Sequence, residues 1–223
     1  MKILALDSAT EACSVALNLD GEIVEHFELL PRRHSRELLG MVDNLLKKQA
    51  VSLSDLDALA FGCGPGAFTG LRIAAAMVQG LAFAIDKPVV AVSTLRALAQ
   101  EGFRVHQSNA VLAAIDARMG EVYWGAFKEE NGLMQPEIEE RVIVPEKVVL
   151  PDGKQNWLGM GTGWQFEDQL AAKVVKCFPE AYPRAADIAI LAAADFSEGL
   201  SVPAEQARPV YLRDKVALKK SER

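Results

Sequence analysis

The chain has 223 residues (24.2 kDa), half of them apolar and 24% charged, which suits one large globular domain or two small ones. Thirty acidic against 24 basic side chains leave a net charge of −6. That balance argues against free-standing DNA or RNA binding, though not against nucleic acid held by a partner. No apolar run is expected to reach the ~18 residues of a membrane span. Asp7 arrives too early for a signal peptide, and Cys13, Cys63 and Cys177 have no metal spacing, so a cytoplasmic protein with reduced thiols is expected.

In chain order, Ile3 to Asp7 reads as a strand ending in an acid, and Cys13 to Leu17 as a second strand. The Asp20-Gly21 turn leads to a third, Glu22 to Phe27. Leu38, Val42, Leu45 and Leu46 recur at helical spacing between Ser35 and Lys48. Ser54 stands three residues before Asp57, a helix-start signal, and Ala58 to Phe61 reads as a buried strand. The glycine cluster Gly62 to Gly66 follows, then a helix from Gly70 to Ile85 with Thr69 as its cap. Val89 to Val92 is a strand, and Leu95 to Gln100 a helix stopped by Gly102.

The polar stretch Arg104 to Asn109 divides the chain into expected lobes, 1–105 and 106–223. Beyond it the opening pattern recurs: Val111 to Asp116, Val122 to Phe127, and an Asn131-Gly132 turn. Trp157 to Met160 reads as a strand, and helices are expected over Gln165–Lys176 and Ala185–Glu198. Strands first and helices after, in two similar halves, predict an α/β fold of duplicated lobes with mixed sheets.

Asp7 and Asp116 each end the first strand of a half. Each either closes its strand by bonding local N–H groups or, with Ser8 and Thr10, belongs to a hairpin that wraps phosphate. Ala9 stands where that hairpin needs a glycine. Gly64 and Gly66, between a strand and a helix, form either a tight turn or an anion seat, but no Walker loop, because no lysine follows. His26, His34 and His106 form no metal pair, and His34 reads as a surface residue. Leu71, Ala74, Ala75, Val78 and Leu81 make an apolar, small-residue helix face. That face packs inside its lobe or forms a subunit interface with the Leu38, Val42 and Leu45 stripe. The tail from Arg213 to Arg223 holds five basic and two acidic residues, a solvated tail or an RNA contact within an assembly.

Four stretches together resemble the TsaB (YeaZ) family, the bacterial paralogue of TsaD in tRNA threonylcarbamoyladenosine synthesis, and its gamma-proteobacterial branch above all. They are Leu4 to Leu17, Gly64 to Arg72, Ala114 to Tyr123 and Pro209 to Arg213. The resemblance implies a two-lobed actin-like, Hsp70-like and sugar-kinase (ASKHA, RNase H-like) fold. It implies a non-catalytic subunit that binds TsaD as a heterodimer and the ATPase TsaE in a ternary complex. Alone the chain is then a homodimer, off the membrane, touching tRNA only indirectly. No resident cofactor is implied, with ATP bound weakly or only in the complex. In TsaD a histidine pair holds a metal, and the corresponding positions here are Thr94 and Leu98. The alternatives are an ATP-dependent phosphotransferase of the same fold and, last, a metallopeptidase.

Overall fold

Large and small apolar residues alternate along the first strands, and that alternation dictates what covers each face. The computed structural model describes residues 1–152 and 155–213. Its first half runs β1 (Lys2–Asp7), β2 (Ala12–Leu19), β3 (Glu22–Leu29), α1 (His34–Lys48), β4 (Ala58–Gly64), α2 (Phe68–Ile85), β5 (Val89–Ser93) and α3 (Thr94–His106). Leu4, Leu6, Val15, Leu17, Leu59 and Phe61 point to one face and pack against α1 and α2. Ile3, Ala5, Ala16, Ala58 and Ala60 point to the other. Every one of these side chains is out of contact with water.

The second half runs β6 (Ala110–Asp116), β7 (Val122–Glu130), β8 (Leu133–Pro136), β9 (Arg141–Ile143), β10 (Leu158–Met160), β11 (Lys176–Phe178) and α4 (Ala185–Ser197). The first sheet has the order β3-β2-β1-β4-β5 and the second β8-β7-β6-β10-β11, with β9 added on β7. In each sheet the first three strands are antiparallel and the last two run parallel to the central one. The duplication read from Asp7 and Asp116 is therefore one of topology. Both hairpin turns have two left-handed residues, Asp20-Gly21 (φ 54° and 101°) and Asn131-Gly132 (φ 55° and 84°). Those are the residue types such turns select.

The terminal helices are exchanged. α4, from the second half, lays Ala185, Ala186, Ile188, Ala189 and Ala192 on the alanine-rich face of the first sheet. α3, from the first half, lays Leu95, Leu98 and Ala99 on the second sheet, against Val111, Ala113 and Phe127. The two helices run antiparallel and are tied by two Arg–Asp pairs. Arg96 reaches Asp195 at 2.8 Å, and Arg104 donates twice to the fully buried Asp187 at 2.8 Å. Bidentate geometry of this kind is what offsets the cost of burying a carboxylate. The division at residue 105 thus falls in the last turn of α3, and neither half closes its own core.

Several expectations are corrected. Gln165–Lys176 is not a helix: a 3₁₀ turn covers Thr162–Gln169, and Lys176 belongs to β11. Ala171 N–H bonds the Pro145 carbonyl and Val175 N–H the Trp157 carbonyl, which pull the backbone out of any helix. Gly102 does not end α3. It sits inside the helix where a Cβ would stand 3.0 Å from Val111, and Gln107 at φ 55° ends the helix instead. α2 begins at Phe68 with Ala67 as N-cap, so Thr69 is not its cap. The turn near Ser54 is capped by Ser52 with Asp55. His34 is buried, with Nε2 3.1 Å from the Ala12 carbonyl. One segment does have the length and composition of a membrane span: α2, with a mean hydropathy of 1.5 over 18 residues, although its inner row is packed on the first sheet. Cys13 and Cys63 are buried free thiols, and burial pushes both up to about 12. The basic tail beyond Arg213 lies outside the described residues.

Candidate functional site

The end of β1 and the start of α2 meet at the two candidate phosphate elements, and they meet each other. Asp7 is fully buried. Its Oδ1 accepts the Ala9 N–H at 3.1 Å, and its Oδ2 has no partner among the described residues. Burial without a cation pushes its carboxyl up to about 8. Gly62 lies directly beside that orphan oxygen, where a Cβ would come within 2.0 Å.

The glycine turn after β4 lies flat on the Ser8–Ala9 loop. Ala67 N–H donates to the Ala9 carbonyl at 2.7 Å. Ser8 Oγ donates to the Gly70 carbonyl at 2.9 Å, and Thr94 Oγ1 donates to the Pro65 carbonyl. A Cβ on Gly66 would stand 2.5 Å from the Ala9 carbonyl oxygen, and one on Gly70 only 1.9 Å from that of Ser8. Gly64, at φ 124°, faces the Val210 carbonyl, while Val210 N–H donates to the Cys63 carbonyl at 2.7 Å. The glycines let chain approach chain, which is the tight-turn reading and not the anion seat. Thr10, also nearly buried, accepts the Ala12 N–H. A nucleotide needs these N–H groups and an ionised Asp7. With Ala67 N–H taken and Asp7 sealed, the residues do not fit Mg–ATP, and the phosphotransferase alternative loses its support.

Replacing Gly70 by alanine is expected to lower the melting temperature sharply, because the clash is with backbone. A loss of about 3 kcal/mol or more is expected, read by thermal unfolding; an unchanged melting point shows that the two loops are not docked.

The second hairpin is built differently. Asp116 accepts Arg118 N–H at 2.7 Å and its guanidinium at 2.8 Å, while Asp116 N–H donates to Thr162 Oγ1. Arg118, Met119 and Gly120 are consecutively left-handed, at φ 61°, 57° and 73°. This strained turn aims Arg118 across to Glu11 of the first hairpin, 2.7 Å away. The segment Val210–Arg213 crosses the same gap. Tyr211 packs on Phe68 at 5.5 Å and accepts from Arg72 at 3.1 Å, and Arg213 pairs with Glu121. Between the lobes these elements leave a cleft of about 440 Å³.

The expected interface row is placed elsewhere. Leu38, Val42, Leu45, Leu71, Ala74, Ala75 and Val78 are all at most 4% exposed and form the first lobe's own core; Leu81 alone is part-exposed at its edge. On α2 the outward residues are Ala76, Gly80, Ala84 and Phe83, the last 80% exposed, and on α1 Leu39 stands out at 52%. They recur three and four apart on the opposite side of the helix wheel, so α2 is apolar all round. A helix of that kind is normally covered on both sides. That was the missed signal.

Thr94 and Leu98 are committed to structure, Thr94 through Pro65 and Leu98 within the second sheet's core. Among the described residues no three His, Cys, Asp or Glu side chains group as metal ligands.

Residues 28–221 match the family model of TsaD, tRNA N6-adenosine threonylcarbamoyltransferase. The tRNA threonylcarbamoyladenosine biosynthesis protein TsaB of Escherichia coli (strain K12) is 46% identical over 99% of this chain and 98% of its own length. That of Haemophilus influenzae is 40% identical over 99% and 97%. The solved structure of YeaZ from Pseudomonas aeruginosa superposes with a TM-score of 0.93 at 48% identity, covering 95% of this chain and 99% of that one.

Proposed function

The chain belongs to the TsaB family of tRNA threonylcarbamoyladenosine biosynthesis proteins, and from that premise we propose that it is a docking subunit, not the catalyst. Its role lies in forming threonylcarbamoyladenosine in tRNA. The observation that carries the docking reading is the closed phosphate seat, with Ala67 N–H on the Ala9 carbonyl and Asp7 sealed beneath. Thr94 and Leu98, at the positions of TsaD's metal-binding histidines, support it by lacking metal-binding chemistry.

The partner is TsaD. The chain matches TsaD's own family model, so the two share a fold and present equivalent surfaces. α2 supplies the contact through Ala76, Gly80, Phe83 and Ala84, with Leu39 of α1 beside it. Small residues permit close approach of a partner helix, and Phe83 supplies an aromatic anchor. In the absence of TsaD the same face accepts a second copy, isologously. TsaE joins the complex, which works in the cytoplasm, and tRNA is reached through TsaD.

The test is reconstitution with purified TsaD and TsaE. Phe83→Glu is expected to stay folded, to run as a monomer in light scattering, and to lose TsaD binding and modification of tRNA together. Asp7→Asn is expected to support modification normally. Loss of modification by Asp7→Asn with TsaD binding intact overturns the reading, as does ATP turnover by the isolated chain.

A further inference from the structure

The cleft has features that the docking role does not use. Its volume of about 440 Å³ lies within the ~300–1,000 Å³ of small-molecule sites. Five charged groups surround its mouth, and each is already paired. Arg118 holds Glu11 and Asp116 at 2.7 and 2.8 Å, and Arg213 holds Glu121. Three acids against two cations leave no open positive charge for a phosphate. A ligand cation would have to displace a guanidinium from its carboxylates.

The uncharged polar groups are not committed. The hydroxyls of Tyr123 and Tyr182 and the amide of Gln165 all line the cleft, and none has a hydrogen-bond partner among the described residues. Burial pushes both tyrosines upward, so both remain neutral phenols that donate and accept. The Phe68–Tyr211 pair forms an aromatic wall, both rings about two-fifths exposed. Apolar walls with a few convergent neutral donors and acceptors recognise flat ring ligands with hydrogen-bonding edges.

We propose that this cleft binds an uncharged heteroaromatic ligand of nucleoside type, and that it rejects the same ligand once phosphorylated. The site is independent of the α2 face, so it stands or falls apart from the docking reading.

The experiment is titration of the full chain with adenosine, ATP and inorganic phosphate, followed by calorimetry and protein-observed NMR. Adenosine is expected to bind and to shift the signals of Gln165, Tyr182 and Phe68. ATP is expected to bind at least about tenfold more weakly, and phosphate not at all. Gln165→Ala and Tyr182→Phe each remove one hydrogen bond outside the core, so each is expected to weaken adenosine about 2–10-fold. ATP binding as tight as adenosine overturns the proposal. So does adenosine binding that neither variant weakens, or no adenosine binding at millimolar concentration. Dimerisation and TsaD binding, set by Phe83, are unaffected by any of these outcomes.

Discussion

Val78→Glu is expected to unfold the protein, not to produce a folded monomer. Val78 is fully buried between α2 and the first sheet, beside Ala74 and Ala75, and no cation there can pair with the new carboxylate. Burying an unpaired charge costs about 3–5 kcal/mol or more, out of the roughly 5–15 kcal/mol that holds a domain together. Ala75→Glu, at 4% exposure, is expected to do the same. The far-UV circular dichroism and melting curve of each variant, set beside those of Phe83→Glu, give the check. A cooperative, native-like melt for Val78→Glu contradicts the inward placement of this row.

The second large effect is a pH dependence. In the unfolded chain Asp7 loses its proton near 3.8, whereas in the folded protein burial holds the proton to about 8. Between those values the folded state binds more protons, so stability falls as pH rises from about 4 to about 8 and is flat on either side. Asp7→Asn removes that loss. The variant is expected to match the parent at pH 4 and to exceed it at pH 9 by on the order of 3 kcal/mol. Glu101 and Glu140, each pushed up to about 7 by burial, leave a smaller slope of the same sign. Denaturant midpoints across the range measure it; a variant less stable than the parent at pH 9 shows Asp7 ionised and partnered.

Local features were legible in the sequence because local chemistry sets them. Asp20-Gly21 and Asn131-Gly132 announce two-residue turns, and the Ile3 to Asp7 and Val111 to Asp116 runs announce two related openings. The alternation of leucine with alanine along β1 and β4 even predicts which sheet face takes the closer helix. What failed depends on distant parts of the chain. The period of Leu71, Ala74, Ala75 and Val78 identifies a face, but α2 is apolar on both sides, so periodicity alone does not say which one points inward. The glycines at 66 and 70 read equally well as a ligand cradle until Ser8 and Ala9 are seen to fill it. Residues 165–176 carry enough leucine and alanine for a helix, yet Pro145 and Trp157 capture their N–H groups.

The exchange of α3 and α4 has a consequence for the chain's integrity and descent. A first half made alone would leave Ile3, Ala5, Ala16 and Ala60 bare and would carry a helix with no sheet to cover. Two such halves, each lending its last helix to the other, would satisfy both. The molecule is the fused form of that swapped pair, which gives a physical route from a self-associating ancestor to a duplicated gene. A cut between Gln107 and Asn109, the short link after α3, therefore severs no core contact. Fragments 1–107 and 108–223 are expected to be insoluble when made apart and to regain the parental fold when expressed together, as a split protein whose halves recognise one another through exchanged helices.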